Sequence, residues 1–166
     1  MAQCGFSPTI FSSTGSFSFC QGSNLTLTAN PTAGATFVWK RNGVATGQTA
    51  SAITVSDAAA YRVLITIAGC TDSATVNTSI NPPPTVSLSI PASLKSVCSN
   101  AGSFSLVSYG SPAGGTWFIN GSPGFPNIIP ALGANTYAIE YRYTDILGCT
   151  NSAFDTVRVL AQPTSI

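Results

Sequence analysis

Apolar and polar residues alternate along most of this chain. Ser23-Asn24-Leu25-Thr26-Leu27-Thr28-Ala29 reads polar and apolar in turn, as do Ala52-Ile53-Thr54-Val55-Ser56 and Tyr61-Arg62-Val63-Leu64-Ile65-Thr66-Ile67. Ser103-Phe104-Ser105-Leu106 and Tyr137-Ala138-Ile139-Glu140-Tyr141-Arg142-Tyr143 repeat the theme. A period of two places every second side chain on one face, so these segments are expected to be strands with one buried and one wet face. No segment carries the 3.6-residue period of an amphipathic helix. Asn42-Gly43 and Asn120-Gly121 are turn dipeptides, because both central residues of a tight hairpin turn need positive φ.

The chain also aligns with itself. Cys20 and Cys98 are separated by 78 positions, and Trp39 and Trp117 keep that offset, as do the two Asn-Gly pairs. Gly69-Cys70-Thr71 and Gly148-Cys149-Thr150 are 79 apart. Four landmarks in one order at nearly one offset indicate two copies of one module. They meet at Asn81-Pro82-Pro83-Pro84. Proline runs cannot continue a ladder and favour a stiff extended backbone. The expected organisation is therefore residues 1–81 and 82–166, joined by a Pro-rich linker at 81–84.

About seven short strands per copy point to an all-β protein of two tandem immunoglobulin-like β-sandwich domains. A sandwich of that kind places the strand after Cys20 and the strand before Cys70 antiparallel in facing sheets. The expected bridges are therefore Cys20–Cys70 and Cys98–Cys149, one disulfide each. Trp39 and Trp117 fall between the cysteines and are expected in the cores. Asp57-Ala58-Ala59-Ala60-Tyr61 resembles the Asp-x-x-x-Tyr corner of antibody-type domains, which makes Tyr61 the corner candidate. Cys4 has no counterpart ahead of Cys98 and is left over, either unpaired or joining two chains.

Composition narrows the function. Of 166 residues only 7% are charged, with net charge +1 and no histidine, against roughly 25% charged residues in an ordinary soluble domain. Serine and threonine, about a quarter of the chain, take the place of the missing charge. Such a chain has no electrostatic footprint for nucleic acid or anionic lipid. No apolar run is long enough to span a membrane as a helix, so no membrane insertion is expected. Widely spaced cysteines without a C-x-x-C pair read as disulfides of a secreted or cell-surface protein rather than as a metal site. Met1-Ala2-Gln3 opens no signal peptide, so the chain reads as an excised piece of an exported protein.

Enzyme chemistry is not expected. The acids Asp57, Asp72, Glu140, Asp145 and Asp155 are scattered, and acid–base schemes lack histidine. No D-x-D run offers calcium ligands. No cofactor and no metal is expected. Exposed aromatics could stack on sugar rings. Phe125, within Gly-Ser-Pro-Gly-Phe-Pro, and Tyr109 are the candidate glycan contacts, while the two tryptophans are set aside as core.

At the level of family, FCQGSNLTLTA, FVWKRNG and SDAAAYRVLITIAGCTDSATV resemble the immunoglobulin-like (PKD-like) repeats of secreted cell-surface proteins of Bacteroidetes bacteria. SVCSNAGSFSL, GGTWFINGSPG and ANTYAIEYRYTDILGCTNSAFDTVRV resemble a second subtype of those repeats. The resemblance runs from about residue 8 to 160. It implies a non-catalytic structural or adhesive repeat, a stalk or filament segment of the gliding-adhesin or type IX secretion cargo kind. Its partners would be neighbouring repeats of the same polypeptide and surface polysaccharide. The alternative is a carbohydrate-binding module of a secreted polysaccharide-degrading protein; a third reading is an accessory domain of a virion or other filament. The resemblance also implies O-glycosylation of Asp-Ser/Thr-apolar motifs, here at Ser73 and Thr156.

Overall fold

The computed structural model describes residues 4–162. The chain forms two compact units that meet between Pro82 and Pro83. Both are built from strands, as the alternating sequence requires.

Unit 1 contains β1 (Thr9–Ser12), β2 (Ser18–Cys20), β3 (Leu25–Asn30), β4 (Thr36–Arg41), β5 (Val44–Ala45), β6 (Ala52–Val55), β7 (Ala60–Ile67), β8 (Cys70–Asn77) and β9 (Ser79–Asn81). One sheet has the order β1-β3-β6 and the other β5-β4-β7-β8, all antiparallel. The short β2 and β9 pair in parallel, Ser18 with Ser79 and Cys20 with Asn81. Alternation puts Leu25, Leu27, Trp39, Val63 and Ile65 completely out of solvent between the sheets. The Trp39 indole N–H donates to the Ala50 carbonyl at 2.9 Å, which satisfies the one polar atom of that ring.

Unit 2 contains β10 (Ser87–Leu88), a single helical turn α1 (Ala92–Lys95), β11 (Ser96–Cys98), β12 (Phe104–Ser105), β13 (Gly110–Ser111), β14 (Thr116–Ile119), β15 (Ser122–Pro123), β16 (Asn127–Ile128), β17 (Asn135–Thr144) and β18 (Thr150–Leu160). A five-stranded sheet runs β11-β18-β17-β14-β15. Its β11 lies parallel to β18, with Cys98 opposite Leu160. The opposing layer is much reduced: β12 and β16 share two residue pairs, and so do β10 and β13. Leu106, Ile128, Ile139, Tyr141 and Val157 fill the core.

The internal repeat extends to single hydrogen bonds. Asn42 Oδ1 accepts the Ala60 amide at 2.9 Å, and Asn120 Oδ1 accepts the Ala138 amide at 2.8 Å, 78 positions on. Both asparagines sit at positive φ, 48° and 50°, followed by glycines at 84° and 79°. That is the pair of left-handed residues a tight hairpin turn demands, and Asn and Gly are the types that adopt it at least cost.

The cysteine pairing differs from expectation. Cys70 is bonded to Cys4, with Cα atoms 5.8 Å apart, so Cys4 is neither unpaired nor intermolecular. Cys98 is a free, exposed thiol, so the Cys98–Cys149 bridge is not made. Cys20 and Cys149 are not free thiols. The reason lies in strand pairing. Cys20 was expected beside the end of β7, but its strand runs parallel to the end of the unit, level with Asn81. Cys70 opens β8, so the two cysteines lie roughly 30 Å apart along the strand direction. A disulfide tolerates a Cα separation of only about 4.4–6.8 Å. Cys98, level with Leu160, stands in the same relation to Cys149.

Candidate functional site

The reduced layer of unit 2 leaves one end of the sandwich open. In unit 1 four residue pairs between β3 and β6 roof over Trp39. In unit 2 the chain between β12 and β14 instead makes a 3-10 turn at Val107–Tyr109 and a glycine-bearing loop. The result is a cleft of about 630 Å³ lined by Val107, Ser108, Gly110, residues 113–117, residues 124–126 and Tyr141.

Its aromatic floor is Trp117 and Tyr141, cross-strand neighbours with ring centroids 4.7 Å apart and planes tilted by 48°. Tyr141 is locked in place. Its hydroxyl donates to the Pro112 carbonyl and accepts the Gly115 amide at 2.7 Å. Gly110 and Gly115 lie flat on its ring: a Cβ at either would fall 2.8 Å or 2.5 Å from Tyr141 atoms. The rim is Phe125, 90% exposed. Backbone bonds from Gly124 N–H to Trp117 O, Leu106 N–H to Pro126 O and Asn127 N–H to Phe125 O fix the loop that carries it.

Trp117 is 7% exposed. Among the described residues its indole N–H has no acceptor, and it is not sealed from solvent. The same atom of Trp39 is bonded and its ring fully enclosed. The two units thus treat the tryptophans at matching sequence positions differently.

The five acids all have structural partners. Asp57 accepts the Tyr61 hydroxyl and pairs with Arg41; the Tyr61 bond, then Arg41, holds its carboxyl below the usual value. Burial, then Asp57, pushes the Tyr61 phenol up to about 12. Glu140 accepts the Ser152 hydroxyl at 2.7 Å and pairs with Arg142 at 2.8 Å, and Ser152 is the leading cause of its lowered pKa. Asp145 Oδ1 caps the amides of Leu147 and Cys149, Asp155 pairs with Lys95 at 2.7 Å, and Asp72 accepts the Ser73 amide. Among the described residues no three His, Cys, Asp or Glu side chains gather as a metal would require, and no helix is long and apolar enough to cross a membrane.

The remaining sequence candidates separate. Tyr109 packs, partly buried, against the core of unit 2 and lies outside the cleft wall, whereas Phe125 stands on its rim. Ser73 is half-buried in β8 and accepts from Arg62 at 2.8 Å, whereas Thr156 is exposed on β18. Tyr61 is buried at the start of β7, four residues after its acceptor Asp57. Trp117 is marked by the sequence only as a core residue, and Tyr141, Gly110 and Gly115 carry no local signal that sets them apart.

No family model matches the chain, and no curated protein matches it. Among solved structures it is similar to a Ca2+-stabilised adhesin that helps an Antarctic bacterium reach out and bind ice, at 15% identity, TM-score 0.52, over 95% of this chain and 49% of that one. It is similar to the three N-terminal domains of the highly immunogenic outer capsid protein (Hoc) of bacteriophage RB49, at 14% identity, TM-score 0.46, over 93% and 58%. SGBP-B of the Bacteroides ovatus mixed-linkage glucan utilisation locus, in complex with a mixed-linkage heptasaccharide, is matched at 20% identity, TM-score 0.35, over 94% and 48%. The chain spans about half the length of these proteins. The likeness is one of fold, and the chain has an all-β, immunoglobulin-like fold.

Proposed function

We propose that this chain is a non-catalytic extracellular module, a structural and adhesive segment of a larger bacterial surface protein, whose two immunoglobulin-like copies carry tension between neighbouring repeats. The observation that carries this reading is the parallel pairing of the strands near the two ends of each unit, Ser18–Cys20 with Ser79–Asn81 and Ser96–Cys98 with Arg158–Leu160. Pulling a unit by its ends slides these strands in opposite directions, so their hydrogen bonds must break together rather than one after another. The Cys4–Cys70 disulfide fits an oxidising space outside the cell. The structural engagement of every acid supports a role without chemistry.

The test is to pull the whole chain from its ends in a reductant, after near-ultraviolet circular dichroism has shown that it stays folded. Tension then runs through the backbone alone. Two abrupt unfolding events are expected, each releasing roughly 200 Å of chain between the paired strands. Smooth unravelling at low force would overturn the reading.

A further inference from the structure

We infer that the cleft of unit 2 is a binding site for a neutral saccharide, with a sugar ring stacked on Phe125 and a sugar hydroxyl accepting the Trp117 indole N–H. This goes beyond the mechanical role and does not depend on it.

Three independent observations lead there. First, Phe125 is 90% exposed, yet three backbone hydrogen bonds and the flanking Pro123 and Pro126 hold its loop. A large apolar face kept in water on a rigid support is costly to leave uncovered and loses little freedom when covered. Second, the Trp117 N–H lacks an acceptor among the described residues, while its twin Trp39 has one. A donor that reaches solvent and that no protein group takes is open to an oxygen from outside. Third, the wall carries no charged side chain. The hydroxyls of Ser108 and Thr116 and backbone groups supply its remaining polarity. A carboxylate or sulfate would be desolvated there without a counter-charge. Flat apolar faces, one donor, hydroxyls and zero charge suit an uncharged sugar. A volume of about 630 Å³ lies within the range of small-molecule sites.

The test uses the full chain labelled with 15N, whose two indole resonances report Trp39 and Trp117 separately. Cellohexaose, laminarihexaose, xylohexaose and mannohexaose are titrated in turn, with hexagalacturonate as the charged counterpart. At least one neutral oligosaccharide should saturate the Trp117 resonance and leave Trp39 unmoved, with no dependence on salt. Phe125→Ala, on an exposed position, should weaken that binding at least about tenfold. Trp117→Phe, which keeps a ring but removes the donor, should weaken it several-fold as read by isothermal titration calorimetry, with the backbone amide resonances of unit 2, Gly115 and Ala138 among them, certifying the fold of both variants. Absence of saturation by all four neutral sugars at millimolar concentration would overturn the proposal. So would preference for hexagalacturonate, or binding unchanged by Phe125→Ala.

Discussion

Tyr61 donates its hydroxyl to the carboxylate of Asp57, four residues earlier in the chain, and the same carboxylate pairs with Arg41. The contact closes the corner where the chain enters β7. Its pH dependence has two signs. The Tyr61 phenol is raised from 10.0 to about 12, so its contribution is complete below pH 10 and is lost as pH rises toward 12. Asp57 is lowered from 3.8, so its contribution is present above that value and is lost as pH falls through its folded pKa. Tyr61→Phe should cost about 1.5 kcal/mol at neutral pH and flatten the alkaline limb. Urea unfolding at a series of pH values measures both.

Cys4 and Cys70 lie 66 residues apart in sequence, and closing a loop of that size stabilises by up to roughly 4 kcal/mol in the chain-entropy model. Cys4→Ser should therefore lower the melting temperature of unit 1. Cys98→Ser removes an exposed free thiol and should change stability by less than about 0.5 kcal/mol. Alkylation of the native protein, followed by peptide mass analysis, should mark Cys98 and spare Cys4 and Cys70.

The matched asparagines predict matched losses. Asn42→Ala and Asn120→Ala each remove an acceptor for a strand amide and place alanine at positive φ. Each should cost about 1–2 kcal/mol. Thermal unfolding of the two variants checks this, and a loss in only one copy would contradict the equivalence of the turns.

Gly115 and Gly124 both border the cleft but differ in what surrounds them. A Cβ on Gly115 meets the Tyr141 ring at 2.5 Å and the Arg142 carbonyl at 2.6 Å, whereas one on Gly124 meets nothing within 4 Å. Gly115→Ala should destabilise by about 2–3 kcal/mol through overpacking, and Gly124→Ala by well under 1 kcal/mol. Denaturant midpoints at constant slope distinguish them.

The strands and the Asn-Gly turns were legible in the sequence because their causes are local. Alternation in Tyr61 to Ile67 and positive φ at Asn42 and Gly43 depend on neighbouring residues alone. The disulfide was not legible. The pairing depends on which distant segment each cysteine meets: Cys70 meets Cys4, while Cys20 runs beside Ser79–Asn81, a parallel neighbour that leaves no periodic mark. The cleft was half legible. Phe125 stood out within its Pro-Gly loop, but the opening beside Trp117 comes from the shortening of β12 and β16 on the far side of the sandwich. Trp39 and Trp117 are the same residue type at matching positions, so nothing local in the sequence marks which indole N–H is bonded.

The parallel end strands also bear on how such a chain could arise. Because β2 and β9 run the same way, the polypeptide enters unit 1 at one pole and leaves at the other, and β11 and β18 do the same for unit 2. A coding segment with this property can be duplicated in frame without any internal hydrogen bond being rerouted. Trp39, its indole donor bonded, and Trp117, its ring on the wall of a cleft, show that units joined in this way need not share the details of their cores.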